Sequence, residues 1–130
     1  DGRIREAVEW LRKSWEWREE YLAEDDSSRL ASQHALAGTY RANGQVKEAV
    51  TMLEHVVAVR KQVLAEDHPS RLASQHALAL AYEANGQVKE AVTILEHVVA
   101  IKKRVFAPSH PSRIVSEEAL AIIHLENGST

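Results

Sequence analysis

An all-α fold of about six helices, paired into antiparallel hairpins and stacked as a solenoid, is what this sequence predicts. Three observations predict it. A repeat of 42 residues is nearly literal, apolar residues recur at helical spacing on both sides of an Asn-Gly turn in each repeat, and helix formers dominate, with only five Gly and three Pro in 130 residues.

The repeat comes first, because it organises everything else. Leu22 to Val63 laid on Leu64 to Val105 differs at nine positions and is identical at the other 33. The differences are Asp26/His68, Ser27/Pro69, Gly38/Leu80, Thr39/Ala81, Arg41/Glu83, Met52/Ile94, Val59/Ile101, Arg60/Lys102 and Gln62/Arg104. The period continues outward. His110-Pro111-Ser112-Arg113 repeats His68-Pro69-Ser70-Arg71, and Gly2-Arg3-Ile4-Arg5-Glu6-Ala7-Val8 repeats Gly44-Gln45-Val46-Lys47-Glu48-Ala49-Val50. We read one solenoid domain over 1–130, made of a half repeat 1–21, full repeats 22–63 and 64–105, and a half repeat 106–130. A chain that begins and ends inside repeats is expected to be a piece of a longer protein.

Within a repeat, Asn85-Gly86 and its copy Asn43-Gly44 mark the turn, since Gly and Asn tolerate the left-handed backbone that ends a helix. After the turn, Val88, Ala91, Val92, Leu95, Val98 and Val99 fall on one helical face. Before it, Leu72, Leu78, Ala79 and Tyr82 form the stripe of a shorter helix. Pro69 suits the first turn, where a missing N–H loses no bond. An Asp, His or Ser beside it can cap, and spacing alone does not choose among them. In the first repeat Asp26-Ser27-Ser28 takes that place without Pro. The helices are expected near 2–23, 28–43, 45–65, 70–85, 87–107 and 112–127. Ala35, Ala37, Ala77, Ala79, Ala49 and Ala91 are expected to let paired helices approach closely.

Composition excludes several classes. A net charge of −3 offers no attraction to nucleic acid or to an anionic membrane. The absence of cysteine removes disulfides, thiolate zinc sites and thiol nucleophiles, and suits a cytoplasmic location. No apolar run approaches the roughly 18 residues of a membrane span. The seven histidines follow largely from the repeat, as with His34/His76 and His55/His97, and none are paired at i, i+4, so no metal is expected. His68 and His110, each before Pro, read as capping or loop residues. The acidic clusters Glu24-Asp25-Asp26 and Glu66-Asp67 precede helices, where negative charge suits the dipole. No nucleophile–base pattern and no G-x-x-x-x-G-K-[ST] occurs, so neither catalysis nor a cofactor is expected.

The run Leu78-Ala79-x-x-Tyr82-x-x-x-Gly86-x-Val88-x-x-Ala91-x-x-x-Leu95 resembles the tetratricopeptide pattern, and Leu36, Ala37, Tyr40, Gly44, Val46, Ala49 and Leu53 repeat it. The last half repeat departs, with His124 in the Tyr position. The 42-residue unit with Leu64-Ala65-Glu66-Asp67-His68-Pro69 between hairpins resembles the kinesin-light-chain subtype. Near-identical units of this kind are also similar to the sensor arrays of fungal NOD-like receptors. The resemblance implies a right-handed superhelix that binds a protein or peptide partner in a concave groove lined by the first helix of each hairpin. The groove rows it implies are His34, His76 and Glu118; Gly38, Leu80 and Ile122; and Arg41, Glu83 and Leu125. Gly38/Leu80 and Arg41/Glu83 are among the least conservative of the nine differences. That suits selection for recognition better than the alternative, free drift of exposed positions. The mixture of apolar and charged groove residues suits a peptide with apolar anchors.

The first helix carries all three tryptophans. Trp10, Trp15 and Trp17 stand where the next repeat has Met52, Val57 and Val59. They read either as an end cap or as a docking surface for a preceding domain. Helices left without a hairpin partner at the truncated ends are expected to promote self-association.

Overall fold

A computed structural model of the chain describes residues 2–21 and 27–127. Asp26, expected to help cap the second helix, and the Glu24-Asp25-Asp26 cluster lie outside the described residues, as does the side chain of Trp17. Six α-helices are described: α1 (Gly2–Tyr21), α2 (Ser27–Ala42), α3 (Val46–Val63), α4 (Pro69–Ala84), α5 (Val88–Val105) and α6 (Pro111–Glu126). They fall into two compact units, Asp1–Leu64 and Ala65–Thr130.

In the first unit α2 packs against both α1 and α3. Leu30 on α2 meets Val56 and Val59 of α3, and Leu36, Ala37, Ala49 and Val56 are sealed from solvent. In the second unit α5 packs against α4 and α6. Leu72 joins Val98 and Ile101 at one level of the α4–α5 seam, while Ala79, Ala91, Leu95 and Ile123 form the core where all three helices meet. The alanines at the seams, Ala37, Ala49, Ala79 and Ala91, have no exposed surface, so their size sets the helix approach. Ala35 does not share this role: it is exposed, and Ala77 is half-buried. Ala35 lies two positions before Ala37, roughly 200° round the helix, so both cannot face one neighbour.

The helix boundaries have local causes. At the C-terminus of α4 the Gln87 N–H donates to the Tyr82 carbonyl at 2.8 Å and the Gly86 N–H to the Glu83 carbonyl at 3.1 Å. This is the paired closure that requires a left-handed residue between helix and exit. Gly86 supplies it at φ 81°, while Asn85 stays at φ −89° and instead donates its side-chain amide to Gln87 Oε1 at 2.7 Å. The first unit repeats the device, with Gly44 at φ 82° and Gln45 N–H on the Tyr40 carbonyl at 2.8 Å. At the start of α4 the open choice of cap is decided. His68 Nδ1 accepts from the Ser70 N–H at 3.0 Å, and His110 Nδ1 from the Ser112 N–H at 3.1 Å at the start of α6. Both histidines are extended, as the following Pro requires. Phe106, just past α5, stacks on the His110 ring at 4.0 Å and holds that cap in place.

Candidate functional site

Helical spacing places His34, Gly38 and Arg41 along one face of α2. Gly38 and Arg41 are exposed, and His34 is half-buried. The same spacing aligns His76, Leu80 and Glu83 on α4, all half-buried, and Glu118, Ile122 and Leu125 on α6. Ile122 and Leu125 are 52% and 77% exposed, a large apolar presentation for two residues one turn apart. The core positions of these first helices point elsewhere: Leu36 is 0% and Leu78 4% exposed. Each first helix therefore carries one packed stripe and one accessible stripe.

The accessible stripe rests on a line of buried polar groups. Ser74 and Ser116 have no exposed surface, and Lys102 is nearly as buried. Lys102 Nζ donates to Ser116 Oγ at 2.8 Å and to the Ser112 carbonyl at 3.2 Å. Ser116 Oγ lies 3.0 Å from His76 Nδ1. A serine hydroxyl that accepts from an ammonium can still hydrogen-bond an imidazole nitrogen, so Ser116 joins Lys102 to His76. His76 is thus a strut between α4 and α6. Burial pushes the Lys102 ammonium below the usual lysine range. Beside it, Ala73, His76, Pro111, Ser112 and Val115 complete an open hollow of about 330 Å³.

Sequence reasoning missed Lys102. The signal was available: Lys102 stands seven residues after Leu95 on the buried face of α5, and Arg60 occupies the same place after Leu53.

His34 stands in a different setting. Its Nδ1 is buried and makes no hydrogen bond among the described residues. Burial first, and the Arg60 guanidinium second, hold its pKa below the ordinary histidine value of 6.5. The folded state therefore disfavours the proton that the unfolded chain accepts. This contribution to stability is present above pH 6.5 and is lost as pH falls through the lowered folded value. Urea midpoints of the chain should fall on acidification across this window, and His34→Gln should flatten that dependence. An unchanged slope in the variant would assign the acid sensitivity to other groups.

At the N-terminal helix, Trp10 is 69% exposed. Trp15 is half-buried, with the Arg29 guanidinium 5.1 Å above its ring, a cation–π contact that ties α1 to α2. Among the described residues no group of three His, Cys, Asp or Glu is placed to hold a metal ion, and no helix is long and apolar enough to cross a membrane.

Paired helices with one packed and one accessible stripe, repeated on a fixed period, define a helical-repeat scaffold. The tetratricopeptide repeat family profile matches residues 1–62, 28–104 and 70–130, and the chain belongs to that family. Among solved structures, the nearly identical tetratricopeptide-like repeats of a kinesin-light-chain-like protein from Podosopora anserina share 53% identity with a TM-score of 0.94. The match covers 98% of this chain and 60% of that one, and a variant of the same protein gives the same values. BtubC (BKLC) from P. vanneervenii aligns with a TM-score of 0.86 at 15% identity, covering 98% of this chain and 51% of that one, a likeness of fold. This chain spans between half and two thirds of the length of these structures. No curated protein matches it. The fold class is the all-α tetratricopeptide solenoid, in its kinesin-light-chain-like form.

Proposed function

We propose that the chain binds a protein or peptide partner through the accessible stripes of its first helices, in the concave groove of the superhelix, and carries out no chemistry of its own. The residues in contact are His34, Gly38 and Arg41 on α2, His76, Leu80 and Glu83 on α4, and Glu118, Ile122 and Leu125 on α6. One observation carries this reading. Between two otherwise near-identical repeats the packed Leu36/Leu78 and the closing Tyr40/Tyr82 are kept, while the accessible stripe changes Gly38 to Leu80 and Arg41 to Glu83. A bulky apolar group is gained and a charge is reversed where a partner would touch. The exposed Ile122 and Leu125 provide anchors of the kind that seat an apolar side chain of a peptide.

For the parent protein, near-identical repeats of this subtype support the sensor array of a NOD-like receptor, working in the cytoplasm. A second reading is a cargo or scaffold adaptor of the kinesin-light-chain kind, which the 53% identity to the Podosopora anserina repeats favours. The sequence preceding Asp1 in the parent separates them: a P-loop after a strand marks the receptor, and heptads without a P-loop mark the adaptor.

The groove is tested with peptides selected from a random displayed library against the chain. Leu80→Arg with Glu83→Arg should lower their capture at least tenfold while leaving the helical circular dichroism unchanged, because both side chains are partly in solvent. Capture that persists in the double variant would move the site to the second helices or to the ends.

A further inference from the structure

Lys13, Lys47, Lys61, Lys89 and Lys103 are exposed, whereas Lys102, in the last turn of α5, is only 6% exposed. Taking an ammonium out of water is costly, and buried charges are ordinarily paired with an opposite charge. Among the described residues Lys102 Nζ meets two neutral acceptors instead, Ser116 Oγ at 2.8 Å and the Ser112 carbonyl at 3.2 Å, and no carboxylate pairs with it. An ammonium carries three protons, so one is left without an acceptor there. Ser112, whose carbonyl holds Nζ, also lines the hollow of about 330 Å³, so the ammonium stands at its floor. The walls come from the first halves of α4 and α6, with Ala73 and His76 on one side and Pro111 and Val115 on the other. The first turn of α6 opens here, and its helix dipole adds partial positive charge.

We infer that this hollow is a binding site for a small free carboxylic acid with a compact apolar body, of the size of benzoate. The carboxylate accepts the unused Lys102 proton at the floor, and the apolar body rests against Ala73, Pro111 and Val115. The volume is at the lower end for small-molecule sites, and the lining is of their kind, apolar walls with one placed charge. The recessed charge selects a free acid. Lys102 is 6% exposed and Val115 at the rim is 54% exposed, so a ligand has to enter end-on, carboxylate first. An acidic side chain on a peptide lying across the rim has to reach past Val115 to the floor. A bound acid supplies the negative charge that the fold itself withholds from Lys102. Because His76 forms one wall, it also covers that part of the accessible stripe. The site does not depend on the groove's binding a peptide.

Titrating benzoate into the 130-residue chain while following backbone amide shifts tests this. Saturable shifts at Ala73, His76, Lys102, Ser112 and Val115 are expected at millimolar concentration, the affinity a ligand of this size reaches. The uncharged benzamide should give none. Lys102→Met keeps the unbranched stem and removes the charge, and should lower benzoate affinity at least about tenfold while helicity is kept. Val115→Asp reads the site without touching Lys102. It alters an exposed position, so the packed seams stay intact, and it sets a carboxylate at the rim that should repel benzoate. Wild-type shifts that are absent or do not saturate overturn the inference. So do equal shifts with benzamide, and so does benzoate binding that is unchanged in both variants. A hollow that ignores benzoate, while Lys102→Met costs the capture of groove peptides containing Asp or Glu, assigns the ammonium to a peptide and overturns the free-acid site. Benzoate bound as expected in a chain that captures no peptide supports this site and counts against the groove.

Discussion

Leu95→Ala should destabilise the chain by about 2–5 kcal/mol, read as a lower urea midpoint with an unchanged slope. Leu95 has no exposed surface and lies where α4, α5 and α6 converge, against Ala79, Ala91 and Ile123. Two of its buried neighbours, Ala79 and Ala91, have no side-chain length to move into the space, so part of the cavity remains and adds to the lost transfer energy. The 42-residue period supplies the control. Leu11 occupies the same position on α1, is half-buried, and faces no described first helix on one side. Leu11→Ala should cost markedly less. Equal losses at the two positions would mean that the hairpin seam is not what stabilises Leu95.

Gly86→Val should cost about 1–3 kcal/mol, the range for a residue forced into a sparsely populated backbone region. At φ 81° the Cβ of an L residue meets the following carbonyl, and β-branching adds to the strain. The alternative is to release the turn, which gives up the Gln87 N–H bond to the Tyr82 carbonyl and the Gly86 N–H bond to the Glu83 carbonyl. The space around the residue is not the cause, since a Cβ built on Gly86 meets nothing within 4 Å. Gly38 separates the two effects. It is equally uncrowded but lies inside α2 with helical backbone, so Gly38→Val should show none of this strain. Thermal unfolding of the two variants side by side reads the difference directly.

Much of this fold was legible in the sequence because the repeat states it twice. Asn85-Gly86 and His68-Pro69 are backbone signals, and they placed the helix ends to within about three residues. Side-chain partners were less legible. The cap of α4 could be drawn from Asp, His or Ser, all of which carry acceptors, and only three-dimensional placement selected His68 Nδ1. Lys102 was overlooked because a charge on a helix suggests solvent. Its ammonium is instead held at the α5–α6 seam by a hydroxyl and a carbonyl. His76 was placed on the accessible stripe by family resemblance, and its bond to Ser116 spans 40 residues, which no local pattern encodes. The stripes themselves follow from helical spacing, whereas their partner is a property of another molecule.

The site is located most directly by NMR, for which 14.5 kDa is a convenient size. Backbone amide shifts would be followed as a peptide selected from the random library is titrated in. Binding through the first helices predicts perturbations concentrated on α2, α4 and α6, centred on His34, Gly38 and Arg41 and on His76, Leu80 and Glu83. Perturbations centred on exposed residues of the second helices, such as Lys47, Glu54, Lys89 and Glu96, would contradict it.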